Sequence, residues 1–178
     1  ERGRLLEVLI PAANRVQAPC HHFGYCGGCA MQHMADADYR AWKLDMVRTA
    51  LSRRGLAANV SGLLYAHGVG RRRVNVHARG IGGRVSVGFM RARGHQLYEI
   101  DHCLVLSPGL HSVFNISAGV ASALDLNNSA LDMHWTETEN GLDCDLRHIG
   151  DLTYGRQVSL ADAANEYDLA RVTWNADI

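Results

Sequence analysis

The sequence predicts an α+β fold, in which an antiparallel β meander and a β-hairpin pack with helices. Alternating apolar and polar residues predict the strands, and apolar residues at helical spacing predict the helices. A third observation is a loop in which three cysteines fall within ten residues. This crowding of thiols predicts a cysteine-bound cluster loop as part of the same fold.

Composition places the chain among ordinary globular proteins. Its 178 residues are 47% hydrophobic and 20% charged, enough for one sizeable core or two small ones. No run of about 18 apolar residues and no secretory signal occurs, so we expect a cytoplasmic protein without a membrane segment. We also expect a monomer. Because the chain lacks an initiator Met and ends after a strand-like segment, we expect a piece of a longer protein.

The first elements flank the cysteine loop. Residues 1–15 contain the alternating apolar residues Leu6, Val8 and Ile10, which predict the last strand of a preceding domain. After the loop, Asp36 is the predicted N-cap of a helix and Gly55 its left-handed stop. Six apolar residues at helical spacing predict that this helix packs by one face: Tyr39, Trp42, Met46, Val47, Ala50 and Leu51.

Residues 59–103 predict the antiparallel meander. Val74, Val76 and Ala78 form the core side of its first strand, and a glycine turn at residues 80–83 leads to a second strand. The solvent side of the first strand carries a polar and basic stripe: Arg73, Asn75, His77 and Arg79. This stripe is a candidate track for phosphates, although solvent-facing strand positions are polar in any protein.

Residues 107–178 predict the remaining helices and strands. A helix from Ser107 to about Leu126 precedes a hairpin with its turn at Asn140–Gly141. A last helix near residues 156–167 leads into a strand that ends at Trp174. Cys144 falls in the apolar row of the hairpin, which predicts a buried core cysteine rather than a metal ligand.

Charge is unevenly distributed along a chain whose net charge is zero. Residues 47–98 contain ten arginines and no acidic residue, whereas residues 99–178 contain three arginines and thirteen acidic residues. Guanidinium groups bind phosphate bidentately and stack on bases. The asymmetry therefore predicts a face in the middle of the chain that binds a polyanion such as a nucleic acid.

Four cysteines are the candidate metal ligands: Cys20, Cys26, Cys29 and Cys103. In a reducing compartment they indicate a metal centre rather than disulfides, and Gly27–Gly28 lets the backbone wrap closely and direct amides toward sulfur. Three close thiols and one distant thiol suit an iron–sulfur cluster, but zinc stays open. In a zinc site His21, His22 or His102 could replace one cysteine.

The cysteine loop and the residues after it resemble the cluster-binding region of the RNA uracil-C5 methyltransferases. The matching residues are Cys20-His-His-Phe-Gly-Tyr-Cys-Gly-Gly-Cys-Ala-Met-Gln-His33, followed by Tyr39 and Lys43. The resemblance continues through residues 71–75, 87–95 and 99–108, and spans most of residues 14–110. It departs from the family at His21 and Leu104, where proline is usual, but neither position supplies a thiolate.

The resemblance implies that the four cysteines hold a 4Fe-4S cluster and that a group of basic residues grips RNA: Arg71, Arg72, Arg73, Arg91, Arg93 and His95. It implies residues 1–15 as the remnant of a TRAM-like barrel and residues 16–126 as the cluster- and RNA-binding domain. Residues 127–178 would lead into an S-adenosylmethionine domain.

Family members flip a uridine out of RNA, attack its C6 with a cysteine and methylate C5. The cofactor motif, that cysteine and the carboxylate base have no counterpart in these 178 residues, so no catalytic or S-adenosylmethionine-binding residue is predicted here and the chain alone should be inactive. We expect 23S rRNA as the substrate of the parent enzyme. Two alternatives are a tRNA uracil-C5 methyltransferase and a stand-alone, zinc-stabilised nucleic-acid-binding module.

Overall fold

A computed structural model describes residues 6–64 and 70–175. The chain divides into two compact units, one formed by Glu1–Phe23 with Cys29–Tyr65 and the other by Gly24–Gly28 with Ala66–Ile178. The predicted boundary at residues 126/127 falls inside the second unit, where strands on both sides of it share one sheet. The predicted division into three functional domains stays a prediction.

The first unit is held together by backbone pairing before its helix. Arg15 and Met34 form an antiparallel bridge, Val16 N donates to His33 O at 2.8 Å, and Ala35 N donates to Asn14 O at 2.8 Å. Residues 6–10 form no strand, and Ile10 is 90% exposed. The strand predicted there is not observed, because no neighbouring strand in the described part of the chain pairs with it.

Helix α1 (Asp36–Arg53) forms where the sequence predicts it, and Gly55 follows it with a φ of +69°. Two details differ from the prediction. Ala35, not Asp36, is the N-cap residue, and none of the helical residues is buried. Trp42, Met46 and Val47 of the predicted packing face are exposed. Apolar spacing selects a face of a helix, but only a neighbouring layer can bury it.

The second unit is built on a six-stranded sheet with the order β3-β2-β1-β4-β5-β6. Its strands are β1 (Arg73–Ile81), β2 (Arg84–Met90), β3 (Leu97–Glu99), β4 (Ala130–Thr138), β5 (Gly141–Arg147) and β6 (Leu169–Trp174). A 3-10 turn (Pro108–Leu110) and helix α2 (Val113–Ala123) precede β4, and helix α3 (Tyr154–Glu166) connects β5 to β6.

The sheet is mixed rather than wholly antiparallel. The meander β1–β2–β3 and the hairpin β4–β5 are antiparallel as predicted, but β6 pairs in parallel with β5. A parallel neighbour requires a crossover connection, and α3 supplies it. The fold is therefore a mixed α/β arrangement of six strands with three α-helices in the described ranges.

The β1–β2 hairpin and the β4–β5 hairpin each use a two-residue turn. Gly82 and Gly83, with φ of +57° and +81°, join β1 to β2, as a type I′ turn requires. The β4–β5 turn was predicted one residue too late, because Thr138 pairs with Gly141 across the loop Glu139–Asn140. The hydroxyl of Thr138 fixes this register by accepting from Asn140 N at 3.2 Å and donating to Gly141 O at 2.7 Å.

One face of the sheet and helix α2 enclose the core of the second unit. Val76, Met133 and Trp135 are at most 1% exposed, and Trp135 Nε1 donates to the buried Ser117 Oγ of α2 at 2.9 Å. The predicted long helix from Ser107 is divided, with the 3-10 turn placing Leu110 in the core before α2 begins. Buried and exposed residues alternate along β1, as predicted, so the other face of this strand carries the predicted polar stripe.

Helix α3 begins two residues before its predicted start, where Thr153 Oγ1 accepts from Arg156 N at 3.4 Å as an N-cap. Among the described helices, none is both long and apolar enough to cross a membrane.

Candidate nucleic-acid interface

A cleft of about 430 Å³ opens in the second unit where β1 and β2 separate. The two strands pair from His77 with Gly88 onward, whereas Arg73–Val76 pair with β4 alone in the described structure. The cleft is lined by Gly27, Gly28, Arg71, Arg73, Val74, Asn75, His77, Phe89 and Met90. Two predicted RNA-binding arginines and three of the four residues of the predicted stripe therefore share one concave surface.

The segment Tyr25–Gly28 pairs with the end of β2, along the edge that β1 leaves open. Gly27 N donates to Met90 O at 2.9 Å, and Ala92 N donates to Tyr25 O at 2.8 Å. A Cβ on Gly27 would lie 2.8 Å from Met90 O, so only glycine allows this approach. The cysteine loop therefore forms one wall of the cleft through its glycines.

Hydrogen bonds fix the backbone that carries the cleft arginines. Arg71 N donates to Val105 O at 3.2 Å, and Ser107 N donates to Arg71 O at 3.0 Å. The hydroxyl of Ser107 bonds both Arg71 O and the Glu137 carboxylate. Beyond Arg71, Glu137 N donates to Arg72 O at 2.8 Å and Arg72 Nη2 donates to Glu137 O at 3.1 Å. Of the three consecutive arginines, Arg71 and Arg73 line the cleft, and Arg72 contacts β4.

The predicted stripe is not uniform. His77 Nδ1 lies 2.6 Å from Asp132 Oδ1, so this histidine is already held by the neighbouring strand β4. Arg79 is exposed at the far end of β1 and does not line the cleft. Sequence alternation correctly identifies the solvent side of a strand but cannot show which of its residues a neighbour neutralises.

The loop after β2 carries the other predicted RNA-binding residues. Arg91 N donates to Gln96 O at 2.8 Å, and Arg93 adopts a φ of +60° at the exposed tip. His95 is exposed in the same loop. Arg71, Arg73, Arg91 and Arg93 form no ion pair within the described ranges, whereas Arg84 pairs with Glu99 at 3.0 Å.

Two tyrosines at this site were missed in the sequence. The rings of Tyr25 and Tyr98 stack with centroids 6.0 Å apart and planes 14° apart, and the Arg91 guanidinium lies 5.4 Å from the Tyr98 ring centroid. Tyr25 is 59% exposed. An aromatic residue inside the cysteine loop and another in the basic meander were the available signal, but sequence alone did not show that they meet.

The four candidate metal ligands are half-buried, and two of them fall in each compact unit. In the first unit, Cys20 N donates to Gln32 Oε1 at 3.3 Å. In the second unit, Cys26 and Cys103 both pack against the hydrophobic core, and Gly28 N donates to Cys26 Sγ at 3.3 Å. The amide-to-sulfur contact expected from Gly27–Gly28 is therefore present at Cys26.

Cys144 is fully buried in β5 opposite Trp135. Burial raises the pKa of its thiol far above the ordinary range, and the neighbouring carboxylates of Asp145 and Asp143 raise it further. A thiol that stays protonated in the core is unreactive, because the thiolate is the nucleophilic form. The prediction of a core cysteine is confirmed.

Comparisons with known proteins identify relatives over nearly the whole chain. An uncharacterized RNA methyltransferase of Caulobacter vibrioides is 40% identical over 97% of this chain and 43% of its own length. The 23S rRNA (uracil(1939)-C(5))-methyltransferase RlmD of Halomonas elongata is 37% identical over 64% of this chain and 24% of its own length. No family model matches the sequence.

A solved structure supports the fold. The tRNA (uracil-54, C5)-methyltransferase of Pyrococcus abyssi, in complex with S-adenosyl-L-homocysteine, has a TM-score of 0.56 at 17% identity, covering 97% of this chain and 41% of that protein. The chain spans less than half the length of these relatives. The resemblance inferred from the cysteine loop and the basic strands is therefore confirmed, and the chain is a relative of the RNA methyltransferases, among them a 23S rRNA uracil-C5 methyltransferase.

Proposed function

We propose that this chain is the central iron–sulfur, RNA-binding part of an S-adenosylmethionine-dependent 23S rRNA (uracil-C5) methyltransferase. The observation that carries the proposal is the cleft between β1 and β2, where Arg71 and Arg73 project from a backbone fixed at Val105, Ser107 and Glu137. Neither guanidinium group forms an ion pair within residues 6–64 and 70–175, and such groups on a hydrogen-bonded backbone are suited to phosphates.

The curated relatives support the rest of the proposal. A protein named as a 23S rRNA uracil-C5 methyltransferase is 37% identical to this chain over 116 residues. The substrate, the S-adenosylmethionine requirement and the methyl transfer belong to the parent enzyme in this proposal. The residues of this chain bind and orient the RNA.

The donor set suits an iron–sulfur cluster. Four thiolates satisfy a 4Fe-4S centre, and an amide that donates to a ligand sulfur, as Gly28 N does to Cys26, is a typical contact around such clusters. Cys20, Cys26, Cys29 and Cys103 would hold the cluster. Its role in the proposal is structural, because Cys26 and Cys103 belong to the two segments that contact the basic strands.

Metal analysis tests the cluster. The protein purified without oxygen should contain four iron and four sulfide per chain and absorb at about 400 nm. The Cys26→Ser variant should lose this absorbance, whereas the Cys144→Val variant should retain it. Stoichiometric zinc without iron would contradict the cluster and favour the zinc-stabilised binding module.

Methyl transfer tests the activity. The full-length gene product, supplied with labelled S-adenosylmethionine, should place the label on C5 of a uracil in unmodified 23S rRNA. Transcripts of tRNA serve as the comparison substrate. Labelling of tRNA alone would overturn the ribosomal assignment, and labelling of neither RNA would overturn the methyltransferase proposal.

A further inference from the structure

We propose that the exposed ring of Tyr25 is a stacking site for the base of an unpaired RNA nucleotide. The proposal rests on the proposed RNA-binding function and adds a ligand class to it, namely a single-stranded nucleotide beside the cleft. The site consists of Tyr25, Tyr98 and Arg91, all in the second compact unit.

The geometry of the stack leaves one aromatic ring available. Tyr98 is half-buried and packs against the hydrophobic core, so it forms the fixed layer. Tyr25 lies nearly parallel to it, with ring planes 14° apart, yet remains 59% exposed. The exposed face of the Tyr25 ring is flat and apolar, and every nucleobase offers a flat face of suitable size to stack on it.

The ring is held in place before any ligand arrives. The carbonyl of Tyr25 accepts from Ala92 N, and two residues later Gly27 N donates to Met90 O. Both bonds tie the Tyr25–Gly28 segment to the end of β2. A tyrosine has only two side-chain torsions, so a base that stacks on a ring fixed in this way loses little conformational entropy of the protein.

Charge around the stack suits a nucleotide rather than an apolar ligand. The Arg91 guanidinium lies 5.4 Å from the Tyr98 ring centroid and forms no ion pair within residues 6–64 and 70–175. Gly27 and Gly28, next to Tyr25 and Cys26 in sequence, form the wall of the cleft that contains Arg71 and Arg73. A base on Tyr25 therefore has guanidinium groups nearby for its own and adjacent phosphates.

The same features favour an unpaired nucleotide over a duplex. In an A-form helix both faces of a base are covered by its neighbours, and only a splayed nucleotide can present a face to an aromatic side chain. A duplex would meet the arginines through its phosphates but leave Tyr25 uncovered.

Fluorescence of 2-aminopurine tests this site in the full-length holoprotein. The probe is a single-stranded oligoribonucleotide with one 2-aminopurine, compared with the same strand in a duplex. Wild type should quench the single-stranded probe on binding. Tyr25→Leu should reduce the quenching and weaken binding about tenfold, with the salt dependence unchanged. Tyr25→Phe should restore both readouts, and Tyr154→Leu, at an 82% exposed tyrosine of α3, is the matched control.

The outcomes separate this site from the proposed function. If Tyr25→Leu, with an unchanged unfolding temperature, binds and quenches like wild type while Arg71→Ala weakens binding, the stacking site is wrong and RNA binding stands. If wild type binds duplex and single strand equally and quenches neither, the stacking site is also wrong. If wild type binds neither RNA, the RNA-binding function itself fails.

Discussion

The two halves of the six-stranded sheet differ in whether their charged side chains have partners. In the half formed by β4–β6, acidic side chains have partners: Arg147 contacts Asp145, Arg171 contacts Asp143, and Thr173 Oγ1 donates to Asp145 at 2.8 Å. In the half formed by β1–β3, Arg84 pairs with Glu99, but the cleft arginines form no ion pair in the described structure.

This difference shows that a charge count alone does not locate a binding surface. Both halves are rich in charge. In the half formed by β4–β6, here called the acidic half, the arginines pair with neighbouring carboxylates. In the half formed by β1–β3, here called the basic half, two arginines line a cleft. Among the residues that the structure describes, the cleft arginines have no such ion-pair partner, so they are available to an anion.

Loss of a cluster ligand should lower the stability of the protein more than any other change considered, and the basic half should be destabilised most. Cys103→Ser should lower the free energy of unfolding by more than about 4 kcal/mol, because loss of a structural metal is among the most damaging changes. Amide hydrogen exchange should accelerate in β1–β3 and in Tyr25–Gly28, because the segment after Cys103 holds Arg71 through Val105 and Ser107.

The matched control is Cys144→Val, which removes a thiol from the acidic half without touching a proposed ligand. It should retain the metal and the exchange pattern of β1–β3. Equal acceleration in β4–β6 after Cys103→Ser would show that the two halves respond as one and that the cluster does not support the basic half in particular.

Adding a methyl group at Gly27 should have a smaller effect on the same half. Gly27→Ala would place its Cβ 2.8 Å from Met90 O and push the cysteine loop away from β2. We expect the free energy of unfolding, measured with urea, to fall by about 1 to 3 kcal/mol. Gly150→Ala is the control, because no atom lies within 4 Å of its Cβ position. An equal response of both variants would contradict the close approach.

Alkaline pH should reveal the smallest effect, in the acidic half. The folded state keeps Cys144 protonated, because burial, Asp145 and Asp143 raise the pKa of the thiol. The unfolded thiol ionises above about pH 8.5. Above that pH the unfolded state binds fewer protons, so the free energy of unfolding falls by at most about 1.4 kcal/mol per pH unit from this group.

The Cys144→Val variant removes this contribution, so its stability should depend less on pH than that of wild type between about pH 8.5 and 9.5. Parallel pH profiles for the two proteins would show that the thiol is not protected. Chemical unfolding at several pH values provides the comparison.

The spacing of apolar residues along the sequence was sufficient to predict most of the helices and strands. Alternation identified the buried side of β1 and the hairpin with Cys144 in its core, and helical spacing with Gly55 identified α1. The parallel position of β6 could not be predicted, because pairing direction depends on where α3 returns the chain and not on the strand's own residues. The exposure of Trp42 on α1 likewise depends on neighbouring layers.

The site was predicted in part. The arginines were recognised from their number and from the family resemblance, but their sorting into cleft residues and partnered residues depends on tertiary contacts. Arg72 contacts Glu137 and His77 contacts Asp132, each across a gap of more than fifty residues in sequence. The stacking of Tyr25 on Tyr98 has the same origin.

The most direct test of the central claim compares RNA binding by arginine variants from the two halves of the sheet. With the full-length holoprotein, Arg71→Ala with Arg73→Ala should weaken binding at least about tenfold and reduce the slope of log affinity against log salt by about 2. Arg171→Ala, at an exposed arginine of β6 that pairs with Asp143, should leave both quantities near wild type. Equal effects of the two changes, or no effect of the cleft variant, would contradict the account.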